Sequence, residues 1–97
     1  MLRHIAVFRW KAGTTDEQVA AIEQALGALR EGLPTLRAYA FGRDLGLRGN
    51  ADFAVVADFD DEQGWRAYAD DPEHRRVIEE LIAPVTDDRS AVQIRQT

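Results

Sequence analysis

Residues 53–59, Phe-Ala-Val-Val-Ala-Asp-Phe, are apolar on both alternating sets, with Phe53, Val55, Ala57 and Phe59 on one side and Ala54 and Val56 on the other. The first segment, Leu2 to Lys11, repeats the pattern. Its two sets, Leu2, His4, Ala6, Phe8, Trp10 and Arg3, Ile5, Val7, Arg9, Lys11, are both apolar at the centre. Side chains of a strand point alternately to opposite faces, so a sheet with one wet face alternates apolar with polar. These two strands therefore belong to a sheet that must be covered on both sides.

The chain supplies cover for only one of them. Val19, Ile22, Leu26 and Leu29 recur at helical spacing with Ala25 on the same stripe, one apolar face of an amphipathic helix. Thr14 to Glu17 fits a capping box at its start. Gly32 offers a left-handed residue past its end, and Pro34 prevents continuation. A second, broken helix begins with Asp60 as cap and carries Trp65 and Tyr68. It restarts at Asp71-Pro72, cap and first helical position, and runs on through Val77, Ile78, Leu81 and Ile82 to Pro84.

Leu36 to Leu45 is a weaker strand, joined to the 53–59 strand by the loop Gly46-Leu47-Arg48-Gly49-Asn50. Asp87-Asp88-Arg89 reads as a surface turn, and Ser90 to Arg95 closes the chain as a strand through Val92 and Ile94. Strand, helix, strand, strand, broken helix, strand is the α+β, ferredoxin-like split βαβ arrangement, β-α-β-β-α-β with the second helix broken near Pro72. At 97 residues it forms a single domain, 1–97. Its helices cover one face of the sheet. The other face, with Ile5, Val7, Ala54 and Val56, is expected to pack on the same face of a second copy, giving a homodimer.

Composition narrows the partners. Asp and Glu number 17 against 12 Lys and Arg, a net charge of −5, and no basic stripe offsets it. Nucleic acid and anionic membrane surfaces are therefore not expected partners. With no cysteine there is neither disulfide nor thiolate metal site. No apolar run approaches the length of a membrane span, so the expected location is cytoplasmic. The glycines at 42, 46 and 49 lack the Lys-Ser or Lys-Thr of a phosphate loop. Ser90, the single serine, has no turn that would expose it as a nucleophile.

Several fragments, in this order and spacing, resemble the dimeric α+β barrel (Dabb) or stress-responsive A/B barrel domains. They are Arg3-His4-Ile5-Ala6-Val7-Phe8, Leu33-Pro34-Thr35-Leu36-Arg37, Phe41-Gly42-Arg43-Asp44-Leu45 and Asp52-Phe53-Ala54-Val55-Val56. The most specific is Tyr68-Ala69-Asp70-Asp71-Pro72-Glu73-His74, similar to the family's Tyr-x-x-His-Pro-x-His with Asp71 in place of its first His. The resemblance covers nearly the whole chain and implies two sheets forming a central barrel with helices outside. Members of the family include plant stress proteins and a polyketide cyclase. Carried over from that cyclase, the catalytic positions are Tyr68, His74 and the first-strand His4.

The residues themselves suit such chemistry. His74 falls in the first turn of a helix segment, where the dipole favours a neutral ring able to accept a proton. The turn before it could bring the Tyr68 hydroxyl toward that ring, a pairing fit to remove a proton beside a carbonyl without a cofactor. His4 shares a strand face with Ala6 and Phe8 and would border the same cavity. Phe8, Leu26, Phe53 and Trp65 are candidate pocket-lining residues, and the resemblance adds Tyr39 and Val55. Two histidines without the spacing of a known site do not specify a metal. The functional expectation is a small-molecule-binding protein for an apolar carbonyl compound, in its sharpest form a polyketide-cyclase-like acid–base enzyme. The alternative is a non-catalytic, stress-responsive structural or ligand-binding homodimer whose cavity its own side chains fill. A third reading sets the acidic surface against a basic partner protein.

Overall fold

Extended backbone, rich in β-branched and aromatic residues, forms four strands in a computed structural model that describes residues 1–96. They are β1 (Leu2–Trp10), β2 (Leu36–Arg43), β3 (Phe53–Phe59) and β4 (Thr86–Arg95). All pair antiparallel in the order β2-β3-β1-β4. Helix α1 (Asp16–Glu31) follows β1, while α2 (Glu62–Asp70) and α3 (Pro72–Val77) follow β3. A π-helical turn at Ile78–Ile82 and a 3-10 turn at Ala83–Val85 lead into β4. This is the α+β, ferredoxin-like β-α-β-β-α-β architecture with the second helix broken at Pro72.

The register explains the two-sided strands. His4, Ala6 and Phe8 of β1 stand opposite Ala57, Val55 and Phe53 of β3 and face the helices. There Ile22, Leu26, Phe53, Phe59 and Val77 are almost wholly excluded from water. Each such side chain contributes about 1.5–3 kcal/mol through burial. On the opposite face Ile5 lies between Val56 and Val92, and Val7 lies opposite Ala54. Among the described residues no helix packs there, and Val92 and Ile94 remain 51% and 46% exposed. At the rim of this face Arg3 makes a two-pronged ion pair with Asp58, at 2.8 and 3.0 Å.

Local chemistry moves several boundaries from where the sequence pattern puts them. Thr15, not Thr14, caps α1: its hydroxyl accepts from the Gln18 N–H while Gln18 Oε1 accepts from the Thr15 N–H. The Thr14 hydroxyl is used earlier, donating to the Lys11 carbonyl in the turn around Gly13, whose φ is +87°. Gly32 is not left-handed. Its φ is −96°, and its N–H closes a tight last turn on the Leu29 carbonyl. Asp61, not Asp60, caps α2, because the Asp60 carboxylate is engaged by Arg37 while Asp61 accepts from the Gly64 N–H. Asp71 caps α3 as the pattern indicates, accepting from the His74 N–H at 2.9 Å.

The final strand is longer than the pattern indicates. It begins at Thr86, so Asp87-Asp88-Arg89 is strand and not turn. A one-residue bulge makes the difference. Asp88 pairs with Arg9 but Thr86 pairs with Trp10, leaving Asp87 without a partner. The π-turn before it has an equally local cause. Pro84 has no N–H to continue an α-helical ladder, and the Ala83 N–H instead reaches back five residues to Ile78.

Candidate functional site

Between the helix-facing side of the sheet and the helices lies a cavity of about 270 Å³. Its floor is His4, Ala6 and Phe8 of β1 with Val55 of β3. Its roof is Leu26 of α1, Tyr68 of α2, His74 of α3, and Ile78 and Ile82 of the π-turn. Thr86 and Arg89 of β4 complete the wall. Both isoleucines of the π-turn thus face the cavity.

His4, Tyr68 and His74 are brought together. All three are buried, at 6%, 3% and 8% exposure. The Tyr68 and His74 rings pack 4.0 Å apart, and the His4 ring is 6.0 Å from that of Tyr68. The break at Asp71-Pro72 produces this contact by letting the chain turn between the two residues, with Asp71 holding the His74 backbone. The Tyr68 hydroxyl does not reach the imidazole. It stands 3.5 Å from the hydroxyl of Tyr39, so the hydrogen-bond pairing is Tyr with Tyr.

Burial sets the protonation states. His74 is held below the usual imidazole range chiefly by desolvation; the Ala69 backbone and then Asp71 pull the other way, and Arg89 adds a smaller depression. Its Nδ1 is buried and makes no hydrogen bond among the described residues. His4 is pushed down to about 4, by desolvation first and then by the charges of Arg89 and His74. The Gln93 amide nitrogen lies 2.8 Å from His4 Nδ1 and can only donate, so Nδ1 accepts and the ring proton belongs to Nε2. Desolvation raises both tyrosines above their ordinary range. At neutral pH the site thus holds two neutral imidazoles and two neutral phenols.

Of the expected pocket-lining residues, Phe8, Leu26 and Val55 border the cavity. Tyr39, Phe53 and Trp65 do not. Phe53 is packed behind Phe8 against Trp10 and Phe41, as close contacts among neighbouring rings demand. Tyr39 sits on β2, beyond Tyr68, where it supports that residue's hydroxyl. Trp65 turns to the far side of His4 and lines a separate surface groove with Leu2, Gln93 and Arg95. The pattern missed Arg89, Thr86, Ile78 and Ile82. Arg89 could have been found by extending the alternation of Val92 and Ile94 backwards, which assigns Arg89, Ala91 and Gln93 to the helix-facing side.

Residues 2–95 match the sequence profile of the stress responsive A/B barrel domain, Dabb. The chain belongs to the Dabb family. Among solved structures, this Dabb chain is 52% identical to a dimeric ferredoxin-like protein of unknown function from Thermobifida fusca, covering 98% of this chain and 90% of that one, with a TM-score of 0.91. A Dabb family protein from Mesorhizobium loti superposes with a TM-score of 0.82 at 14% identity, over 99% and 96% of the two chains. The hydroxynitrile lyase of Passiflora edulis does so at 0.84 and 21% identity, over 99% and 94%. These two likenesses are of fold alone. No match is found among curated proteins.

Proposed function

We propose that this Dabb protein is a homodimer whose cavities bind an apolar carbonyl compound and remove a proton from the carbon beside the carbonyl. The carrying observation is His74, a buried and neutral imidazole packed on Tyr68 in the wall of a largely apolar cavity. In this reading the C–H proton passes to the His74 ring, and the electron pair left behind moves onto the carbonyl oxygen as an enolate. The Tyr68 hydroxyl, polarised by Tyr39, donates to that oxygen, and the enolate carbon then attacks a second carbonyl, whose π pair moves onto its oxygen and takes the proton back from His74, in a cyclisation of the polyketide-cyclase type. His4, with its proton on Nε2, offers a second donor. Every step uses groups of the chain itself.

The homodimer rests on the apolar outer face of the sheet and on the dimeric Thermobifida fusca relative. A second reading, a stress-responsive structural or ligand-binding dimer without turnover, is favoured by the Tyr68 hydroxyl facing Tyr39 and not the imidazole.

Solvent exchange decides between them. Wild-type protein should accelerate deuterium incorporation at the central carbon of benzoylacetone in D₂O, followed by proton NMR. His74→Ala should lower the catalysed rate at least about 100-fold with the fold retained. An unchanged rate removes His74 from the chemistry, and no acceleration by wild type leaves the binding reading.

A further inference from the structure

The chain carries a net charge of −5, yet among the described residues no carboxylate lines its cavity. Among the described residues, the only formally charged one in that wall is Arg89. Its guanidinium carbon lies 5.9 Å from the centre of the Phe8 ring, which places the cation over one of the cavity's apolar walls. The ion pairs of the described residues engage Arg3, Arg37, Arg43 and Arg76, and none engages Arg89. Two aspartates precede it directly in sequence, but neither borders the cavity. The bulge is responsible: by pairing Thr86 with Trp10 it leaves Asp87 unpaired, while Asp88 occupies the opposite face of the strand. The strand thus presents Thr86, whose hydroxyl is spent on the Ile82 carbonyl, and the Arg89 guanidinium to the cavity, and keeps both carboxylates out.

We propose that Arg89 is the anion-binding, specificity-determining residue of the pocket, and that its ligands are apolar carbonyl compounds bearing a carboxylate. The inference rests on the reading of the cavity as a ligand site and narrows its substrate class. The apolar part lies between Ala6, Phe8 and Leu26, while the carboxylate takes the two parallel N–H bonds that a guanidinium offers. A volume of about 270 Å³ suits roughly ten non-hydrogen atoms in the enclosed part. The charge of Arg89 is also felt by His4, Tyr68 and His74, depressing each of them. A bound carboxylate would offset that influence on the histidines and make His74 a better proton acceptor once the ligand is seated.

Phenylacetate and phenylacetamide test this, being equal in size and different in charge. Their affinities for the dimer are measured by two-dimensional NMR titration at pH 7, following the resonances of Ala6, Tyr68 and His74. Wild type should bind the acid at least about tenfold more tightly than the amide. Arg89→Gln should bring the ratio near one, and Arg89→Lys should retain part of it. Equal binding of both compounds to wild type, or a preference that survives Arg89→Gln, overturns the role of Arg89 while leaving the pocket in place. If neither compound moves the cavity resonances, the pocket reading falls and this inference with it. The exchange test of His74 reads separately on proton transfer.

Discussion

His4 takes part in both the cavity and the sheet, and its depressed ionisation has a consequence for folding. In an unfolded chain an imidazole protonates near pH 6.5, whereas the folded His4 does so only near 4. Between those values the unfolded state binds a proton that the folded state refuses. Stability from this residue is therefore complete above about pH 6.5 and is lost progressively as the pH falls toward 4. His74, also depressed, adds to the same slope. Urea midpoints measured from pH 7 to pH 4.5 should fall steadily, and His4→Gln should flatten the dependence. A slope unchanged in that variant would mean that His4 titrates normally in the folded protein.

At the scale of elements, the break between α2 and α3 determines where the chemistry is placed. Asp71 satisfies the His74 N–H, so its side chain fixes the turn that presses the His74 ring onto Tyr68. Asp71→Ala should cost about 1 kcal/mol in chemical denaturation, and Asp71→Asn much less, since an amide oxygen also caps. This break was legible in the sequence because an Asp-Pro pair has a single structural meaning at a helix start. The caps at Thr15 and Asp61 were legible only to within one residue, since Thr14 and Asp60 carry the same chemistry and only their other partners, the Lys11 carbonyl of the preceding turn and Arg37 of β2, decide between neighbours. The residues on strand β1 and the motif around Tyr68 announced the cavity's centre. Its mouth was hidden, because a run of Asp-Asp-Arg looks like a solvated turn until pairing with β1 is known. The π-turn was hidden too: its apolar residues read equally well as ordinary helix.

For the whole molecule, the sheet's outer face is the feature that one chain leaves unfinished. Ile5, Val7, Ala54 and Val56 are only half-buried there, and Val92 is more exposed still. Because Val92 touches so little within its own chain, Val92→Glu should leave a protomer's fold intact while placing a charge on the apolar face that packs against the second sheet. Native mass spectrometry and sedimentation should then show monomers where wild type shows dimers. A Val92→Glu dimer of undiminished affinity would place the contact on another surface.

The unpaired Asp87 makes the last strand unequal in its tolerance of length changes. Removing Asp87 would merely straighten β4, since Thr86 would still meet Trp10 and Asp88 would still meet Arg9. Removing any one residue between Ser90 and Gln93 would reverse the facing of part of the strand, because strand side chains alternate with a period of two. Arg89 and Ile94 would then end on the same face, and the strand could no longer serve the cavity and the outer surface together. Natural variation in length is accordingly expected at the bulge and not beyond it, so that this stretch behaves as the adjustable joint of an otherwise fixed register.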